Sequence, residues 1–264
     1  MTKGYANVPE GQVSYKIEGS GQPILLLHQT PWSYEEYSLM IPILAKSHRV
    51  IAMETLGYGY SDDPPREYEI EDYAKSVISF LDALHITKTS IVGHHTGSII
   101  AAEVAAAYPE RVHKLILSGL SFREPKESEQ LLNEIESQMK PPAEDGSFLI
   151  DLWNMIRSYA VQKKMELLLK SFVFNIDSYI RTYDAHHAIV RYNIIPRLPL
   201  IKCPTLVLSG SNDLFIDDIE TINKAMPECQ TKVIEGAGTA ICLEKPEEFA
   251  STILEFMVNT KVPP

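Results

Sequence analysis

Cysteine is scarce: Cys203, Cys229 and Cys242 are the whole complement of a 264-residue chain. Their odd number and the lack of any CxxC spacing point away from a disulfide framework and from a thiolate zinc site. Basic residues are also in deficit, with 24 Lys and Arg against 35 Asp and Glu and a formal charge of −11. No basic cluster interrupts that balance, so a nucleic-acid partner has no electrostatic footprint. Long apolar runs are missing. No segment approaches the ~18 residues a membrane-spanning helix needs, and the first ten residues hold no apolar core of the ~7–15 residues found in a signal peptide. A cytoplasmic setting without a membrane partner is therefore expected. Histidine numbers eight but is absent after His187. What is present, 45% hydrophobic and 22% charged residues, suits a folded globule and excludes a fibrous or disordered chain.

Short β-rich apolar runs at 24–28, 50–53, 90–93 and 114–118 alternate with helical spacing over about 34–46, 70–84 and 98–108. Strands apolar on both faces and separated by helices predict an α/β fold, with a parallel sheet covered on both sides. The alternation resumes with a strand at 204–209, a helix at 217–225, a strand at 231–235 and a helix at 246–257, with Pro246 in its first turn. Between 122 and 194 the rhythm breaks. Phe148, Leu149, Leu152 and Ile156, then Met165, Leu168, Leu169 and Phe172, recur at helical spacing with no convincing strand. We expect one core domain, residues 1–121 and 195–264, interrupted by a helical lid at 122–194.

In an open parallel sheet, ligands bind beyond the carboxyl ends of the strands, so the loops there are informative. They read His28-Gln29-Thr30-Pro31-Trp32, Gly93-His94-His95-Thr96-Gly97, Gly210-Ser211-Asn212-Asp213 and Gly236-Ala237-Gly238-Thr239. With Gly57-Tyr58-Gly59-Tyr60-Ser61 and the closing Glu244-Lys245-Pro246, this series resembles the α/β-hydrolase superfamily over nearly the whole chain. The subgroup of epoxide hydrolases, haloalkane dehalogenases and C–C bond hydrolases is the nearest in pattern.

The departures from that pattern define the chemical question. The superfamily's strand-to-helix elbow reads Gly-x-Ser-x-Gly, with Asp or Cys as variants; here His95 holds the central position. The resemblance places the general base after the last strand, where this chain has Thr239, and a second frequent histidine where it has Cys242. Only the acid, Asp213, keeps its identity, so the usual Ser-His-Asp arrangement cannot be assembled in the usual places. Dehalogenase and epoxide hydrolase chemistry are disfavoured, because both need an elbow carboxylate.

An imidazole with a pKa near ~6.5 can act as a base at neutral pH. His95 could activate water, abstract a carbon-bound proton or attack as a nucleophile. The expectation is a hydrolase-like enzyme acting on a small carbonyl-bearing molecule. Cofactor-free lyase or isomerase chemistry and a catalytically silent ligand-binding protein are the alternatives. By position in the resembled fold, the backbone N–H groups of Thr30 and Thr96 would form the oxyanion hole, with Gln29, Trp32 and Thr239 around the substrate. Whether Asp213 reaches His95 is left open, as is oligomeric state. No cofactor is implied and no metal is expected, since neither His94-His95 nor His186-His187 has an acidic partner at ligand spacing on its own element. His28, His94 and Glu54 are read as structural, and His48, His85 and His113 as surface residues. Among Tyr183, His186, His187 and Tyr192 one is expected to enter the pocket, and Lys163-Lys164 is read as a solvated helix face.

Overall fold

The computed structural model describes residues 2–138, 140–160, 164–180 and 184–259. Its eight strands are β1 (Thr2–Val8), β2 (Gly11–Glu18), β3 (Pro23–Leu27), β4 (Arg49–Met53), β5 (Thr89–His94), β6 (Val112–Ser118), β7 (Thr205–Gly210) and β8 (Gln230–Ile234). They form one sheet in the order β1-β2-β4-β3-β5-β6-β7-β8. Pairings from β4 through β8 are parallel, while β1 with β2 and β2 with β4 are antiparallel. The hairpin β1–β2 was not expected from the sequence. Its polar, partly exposed residues lack the continuous apolar runs by which doubly covered strands announce themselves.

The helices are α1 (Ile41–Leu44), α2 (Ile70–Ala83), α3 (Thr96–Ala107), α4 (Pro125–Gln138), α5 (Ser147–Tyr159), α6 (Met165–Ile176), α7 (Ala185–Arg191), α8 (Asp218–Ala225), α9 (Ile241–Glu244) and α10 (Pro246–Asn259). Successive strand residues point to opposite faces. Accordingly Leu25, Leu27, Ile51, Ile91, Leu115 and Val207 pack with α2 and α3 in one core layer. Ile24, Leu26, Val50, Val92, Ile116 and Leu208 pack with α1, α9 and α10 in the other. The result is a mostly parallel sheet flanked on both sides by helices, the architecture that the sequence resemblance implies.

Between β6 and β7 the chain makes no strand among its described residues and instead forms α4 to α7. Within this insert α5 and α6 share a small apolar cluster of Leu152, Ile156 and Leu168. An ion pair on a buried carboxylate ties the returning chain to the core: Arg197 donates to both carboxylate oxygens of Glu103 on α3 at 2.7 Å, and Tyr192 Oη donates to the same carboxylate at 2.5 Å. Among the described residues no helix is long and apolar enough to cross a membrane.

Candidate active site

The elbow is built by backbone packing. β5 ends at His94 and α3 begins at Thr96, so the single residue His95 turns the chain, at φ 47° and ψ −113°. Non-glycine residues rarely occupy positive φ, and such strain persists only where the surroundings enforce it. Here the His95 N–H donates to the Ser118 carbonyl at 2.9 Å, while the His95 carbonyl accepts from the Ser98 N–H at 2.8 Å and the Ser98 hydroxyl at 2.6 Å. The flanking glycines leave space for this turn. A Cβ at position 93 would lie 2.2 Å from the Gly97 carbonyl oxygen, and one at position 97 would lie 2.1 Å from the Leu27 carbonyl oxygen.

From this turn the His95 ring reaches the loop after β7, where Nε2 lies 2.8 Å from Asp213 Oδ2. Asp213 is buried, 4% exposed. Burial pushes its carboxyl up, but the charge and hydrogen bond of His95, then His94 and the Phe215 N–H, outweigh that and hold it down at about 2. A carboxylate can only accept, so Nε2 carries the ring proton and Nδ1 holds the lone pair. Nδ1 makes no hydrogen bond to a described residue. Phe215 flanks the ring with centroids 5.0 Å apart. Space for the ring comes from Gly119, at φ +58°, where a Cβ would stand 2.5 Å from His95 Cδ2. Nothing near Gly119 in the chain says that an imidazole will lie against it.

The neighbouring histidine is structural in geometry. His94 is fully buried; Nε2 donates to the Thr239 carbonyl at 2.9 Å and Nδ1 accepts from the Ser118 hydroxyl at 3.0 Å. Burial, reinforced by His95, lowers its pKa to about 3, so it stays neutral. His28 is likewise enclosed, with Nε2 accepting from the Thr55 N–H at 3.0 Å and Nδ1 donating to the Gln29 carbonyl at 2.7 Å. Glu54 is buried and accepts from the Tyr60 N–H at 2.8 Å.

Thr30 and Thr96 come together, their hydroxyls 2.7 Å apart, and the Thr30 hydroxyl also lies 3.1 Å from His186 Nε2. With His95 they line a cavity of about 140 Å³. Gly119, Ser121 and Ser128 contribute to it, and Ile99, Leu131, Leu132, Ile135, Ile189, Leu214 and Phe215 supply an apolar wall. The insert thus closes the cavity through α4 and α7. Of the four lid candidates, His186 enters the cavity. His187 faces Glu136 at 3.3 Å, Tyr192 bonds Glu103, and Tyr183 lies outside the described residues, as does Lys163.

Gln29, Trp32 and Thr239, expected around the substrate, are not among the residues lining this cavity. The Gln29 side chain donates to Glu36 at 3.1 Å and to the Thr239 carbonyl at 3.3 Å. Trp32 is buried against Phe174, with ring centroids 5.1 Å apart. Thr239 offers its carbonyl to His94 and Gln29, and so serves the packing beneath the elbow.

The tertiary structure also gathers Glu36, His94 and Cys242, whose ligand atoms lie within 4.8 Å of one another. They come from three separate elements, so no ligand spacing along a single element marks them. Their atoms are already engaged in part. Glu36 accepts from the Gln29 N–H at 3.0 Å and from its side chain, and both His94 nitrogens are bonded. Burial pushes the Glu36 carboxyl up to about 8, against those Gln29 hydrogen bonds, and raises the Cys242 thiol well above its usual range. A metal there would have to displace these bonds and remove two protons.

Comparison with known proteins agrees with the architecture. Residues 22–149 match the family described as alpha/beta hydrolase fold. A 2-hydroxymuconate semialdehyde hydrolase from Pseudomonas sp. (strain CF600) is 38% identical over 107 residues, which is 38% of this chain and 37% of that protein. A 2-hydroxy-6-oxo-6-(2'-aminophenyl)hexa-2,4-dienoic acid hydrolase from Metapseudomonas resinovorans is 27% identical over 96% of this chain and 90% of its own length. Bifunctional epoxide hydrolase 2 of Mus musculus is 34% identical, but the match covers only 23% of it. Among solved structures, a meta-cleavage product hydrolase from Pseudomonas fluorescens IP01 superposes with a TM-score of 0.79 at 20% identity, over 96% of this chain and 97% of the other.

Proposed function

From the chain's membership of the α/β-hydrolase superfamily, we propose that it is an enzyme that hydrolyses a small, neutral carbonyl compound, with His95 as general base and Asp213 as the carboxylate that orients it. The observation that carries this reading is the 2.8 Å bond between His95 Nε2 and Asp213 Oδ2. It leaves the basic nitrogen, Nδ1, on a ring that lines the cavity. In the superfamily pattern a serine, a histidine and an acid share this space; here one imidazole spans it, so the attacking group becomes water.

Nδ1 takes a proton from that water as its oxygen adds to the carbonyl carbon. The backbone N–H groups of Thr30 and Thr96 receive the developing oxyanion, and such prealigned donors act most strongly where water is excluded. The Thr96 N–H opens the twelve-residue helix α3, whose N-terminal dipole favours negative charge. The relatives' names specify an acid and a semialdehyde substrate. No Lys, Arg, Asp or Glu is among the residues lining this cavity, which favours a neutral molecule. A cavity of about 150 Å³ holds one benzene-sized group, so the part enclosed beside His95 is a single ring or a short chain.

The test is a panel of small activated esters and thioesters. Wild type is expected to turn over at least one, and His95→Ala to lose about 100-fold or more in kcat, the usual scale of a general base. Equal rates for wild type and His95→Ala, or no turnover by wild type on any member, overturn the proposal.

A further inference from the structure

A second imidazole–carboxylate pair faces the same cavity from the insert. Asp184 caps α7: its Oδ1 accepts from the His186 N–H at 2.9 Å, from His186 Nδ1 at 2.8 Å and from Tyr58 Oη at 3.2 Å. Tyr58 Oη is fixed in turn by the Ala185 N–H at 2.9 Å. Because Asp184 can only accept, Nδ1 of His186 carries a proton, and Nε2 is the nitrogen directed at the Thr30 hydroxyl, 3.1 Å away. The Thr30 hydroxyl meets that of Thr96 at 2.7 Å. Asp184, His186, Thr30 and Thr96 therefore form a continuous hydrogen-bonded chain from the insert to the cavity wall. The same side-chain series, carboxylate to imidazole to hydroxyl, underlies proton transfer in hydrolytic triads. Here it is assembled from side chains outside the superfamily's nucleophile, base and acid positions.

His95 has one nitrogen tied to Asp213, and in the proposed reaction the other accepts the proton of water. A leaving alkoxide needs a proton of its own. We propose that Thr30, His186 and Asp184 supply it: the Thr30 hydroxyl protonates the leaving group and His186, positioned by Asp184, replaces that proton. The inference rests on the hydrolytic reading above. In balance, the water proton goes to His95 Nδ1 and the water oxygen forms the new bond to carbon. The bond from carbon to the leaving oxygen then breaks, and its electron pair takes the Thr30 hydroxyl proton. The Thr30 oxygen takes the Nε2 proton of cationic His186, and proton exchange with solvent restores both histidines.

His186 lies against a carboxylate, with Asp184 Oδ1 2.8 Å from Nδ1. Asp184, Tyr58, Thr30 and Thr96 face it, and His95 lines the same cavity. Elsewhere on α7, His187 pairs with Glu136, and Arg191 pairs with Glu67 and Glu69. Burial raises the Asp184 carboxyl, but the charge and hydrogen bonds of His186, with that of Tyr58, outweigh it and hold the group well below the usual carboxylate range.

Leaving-group dependence tests the proposal, because p-nitrophenolate departs without a proton and ethoxide does not. Rates on p-nitrophenyl butyrate and ethyl butyrate are compared for wild type, His186→Gln, Thr30→Val, Thr30→Ser and the control His187→Gln on the same helix. His186→Gln is expected to lose about 100-fold in kcat on ethyl butyrate and less than about fivefold on the nitrophenyl ester, and Thr30→Val to lose about 20-fold or more beyond its loss on the nitrophenyl ester when the substrate is ethyl butyrate. Thr30→Ser, which keeps the hydroxyl, restores most of the loss, and His187→Gln matches wild type. Equal losses on both esters mark a structural role and overturn the inference, as does no loss on either. His95→Ala separates the two levels. If it abolishes turnover of both esters while His186→Gln shows no leaving-group dependence, the general-base reading stands and this inference falls. Absence of wild-type turnover of ethyl butyrate overturns this inference, and absence of turnover across the whole panel overturns the general-base reading as well.

Discussion

The residue that decides the geometry is the one the elbow sequence singles out. His95 sits at a positive φ between two glycines, and the Gly-x-x-x-Gly spacing marks that position from the chain alone, since only a turn of this tightness excludes Cβ atoms on both sides. Its partner was not legible. Asp213 lies 118 residues away, and nothing in its local sequence says whether its carboxylate meets the elbow residue or the loop where the superfamily keeps a histidine. The absent side chain at Gly119 matters as much. Gly119→Ala would add a Cβ 2.5 Å from the His95 ring at φ +58°, where a non-glycine residue costs about 1–2 kcal/mol. The expected outcome is a folded protein of lower Tm in which the His95–Asp213 bond is displaced, read as a loss of esterase turnover approaching that of His95→Ala.

At the scale of elements, the alternation of strands with helices predicted β3 to β8, and the helical spacing over 122–194 falls on α4 to α7. The hairpin β1–β2 escaped because half-exposed antiparallel strands alternate polar and apolar residues weakly in a short stretch. The attachment of the insert also escaped. Glu103, inside the apolar helix α3, is 2% exposed and holds Arg197 and Tyr192 of the returning chain. Arg197→Ala would leave a buried carboxylate without its counter-ion, which typically costs about 3–5 kcal/mol. Denaturant unfolding should record a loss of that order. Because α7 enters the cavity just before this anchor, turnover of ethyl butyrate should fall as well.

For the whole molecule, the two core layers and the residues beneath the elbow form one buried mass that includes a titratable acid. Burial pushes the Glu36 carboxyl up to about 8 from an ordinary value of 4.5. A carboxyl raised in the folded state stabilises it fully below its unfolded pKa, and that contribution is lost as pH rises towards the folded value. Stability should therefore decline between pH 4.5 and about 8, at up to about 1.4 kcal/mol per pH unit. Glu36→Gln should remove this slope in urea unfolding followed across that range, while leaving the acid side of the curve to Asp213 and the other carboxylates.

Local order along the chain is enough to read the sheet-and-helix alternation, the helical spacing between β6 and β7, the tight turn between Gly93 and Gly97 and the histidine at its centre. Each depends on periodicity, on glycine sterics or on residue identity at a marked position, all of which act over a few residues. The pairing of His95 with Asp213, the entry of His186 rather than His187, the engagement of Gln29, Trp32 and Thr239 away from the cavity, and the gathering of Glu36, His94 and Cys242 belong to the tertiary structure. Those contacts join elements remote in sequence. They are set by how the strands order themselves in the sheet and how α7 docks over α3, and side-chain directions at such junctions follow from packing that no local pattern contains.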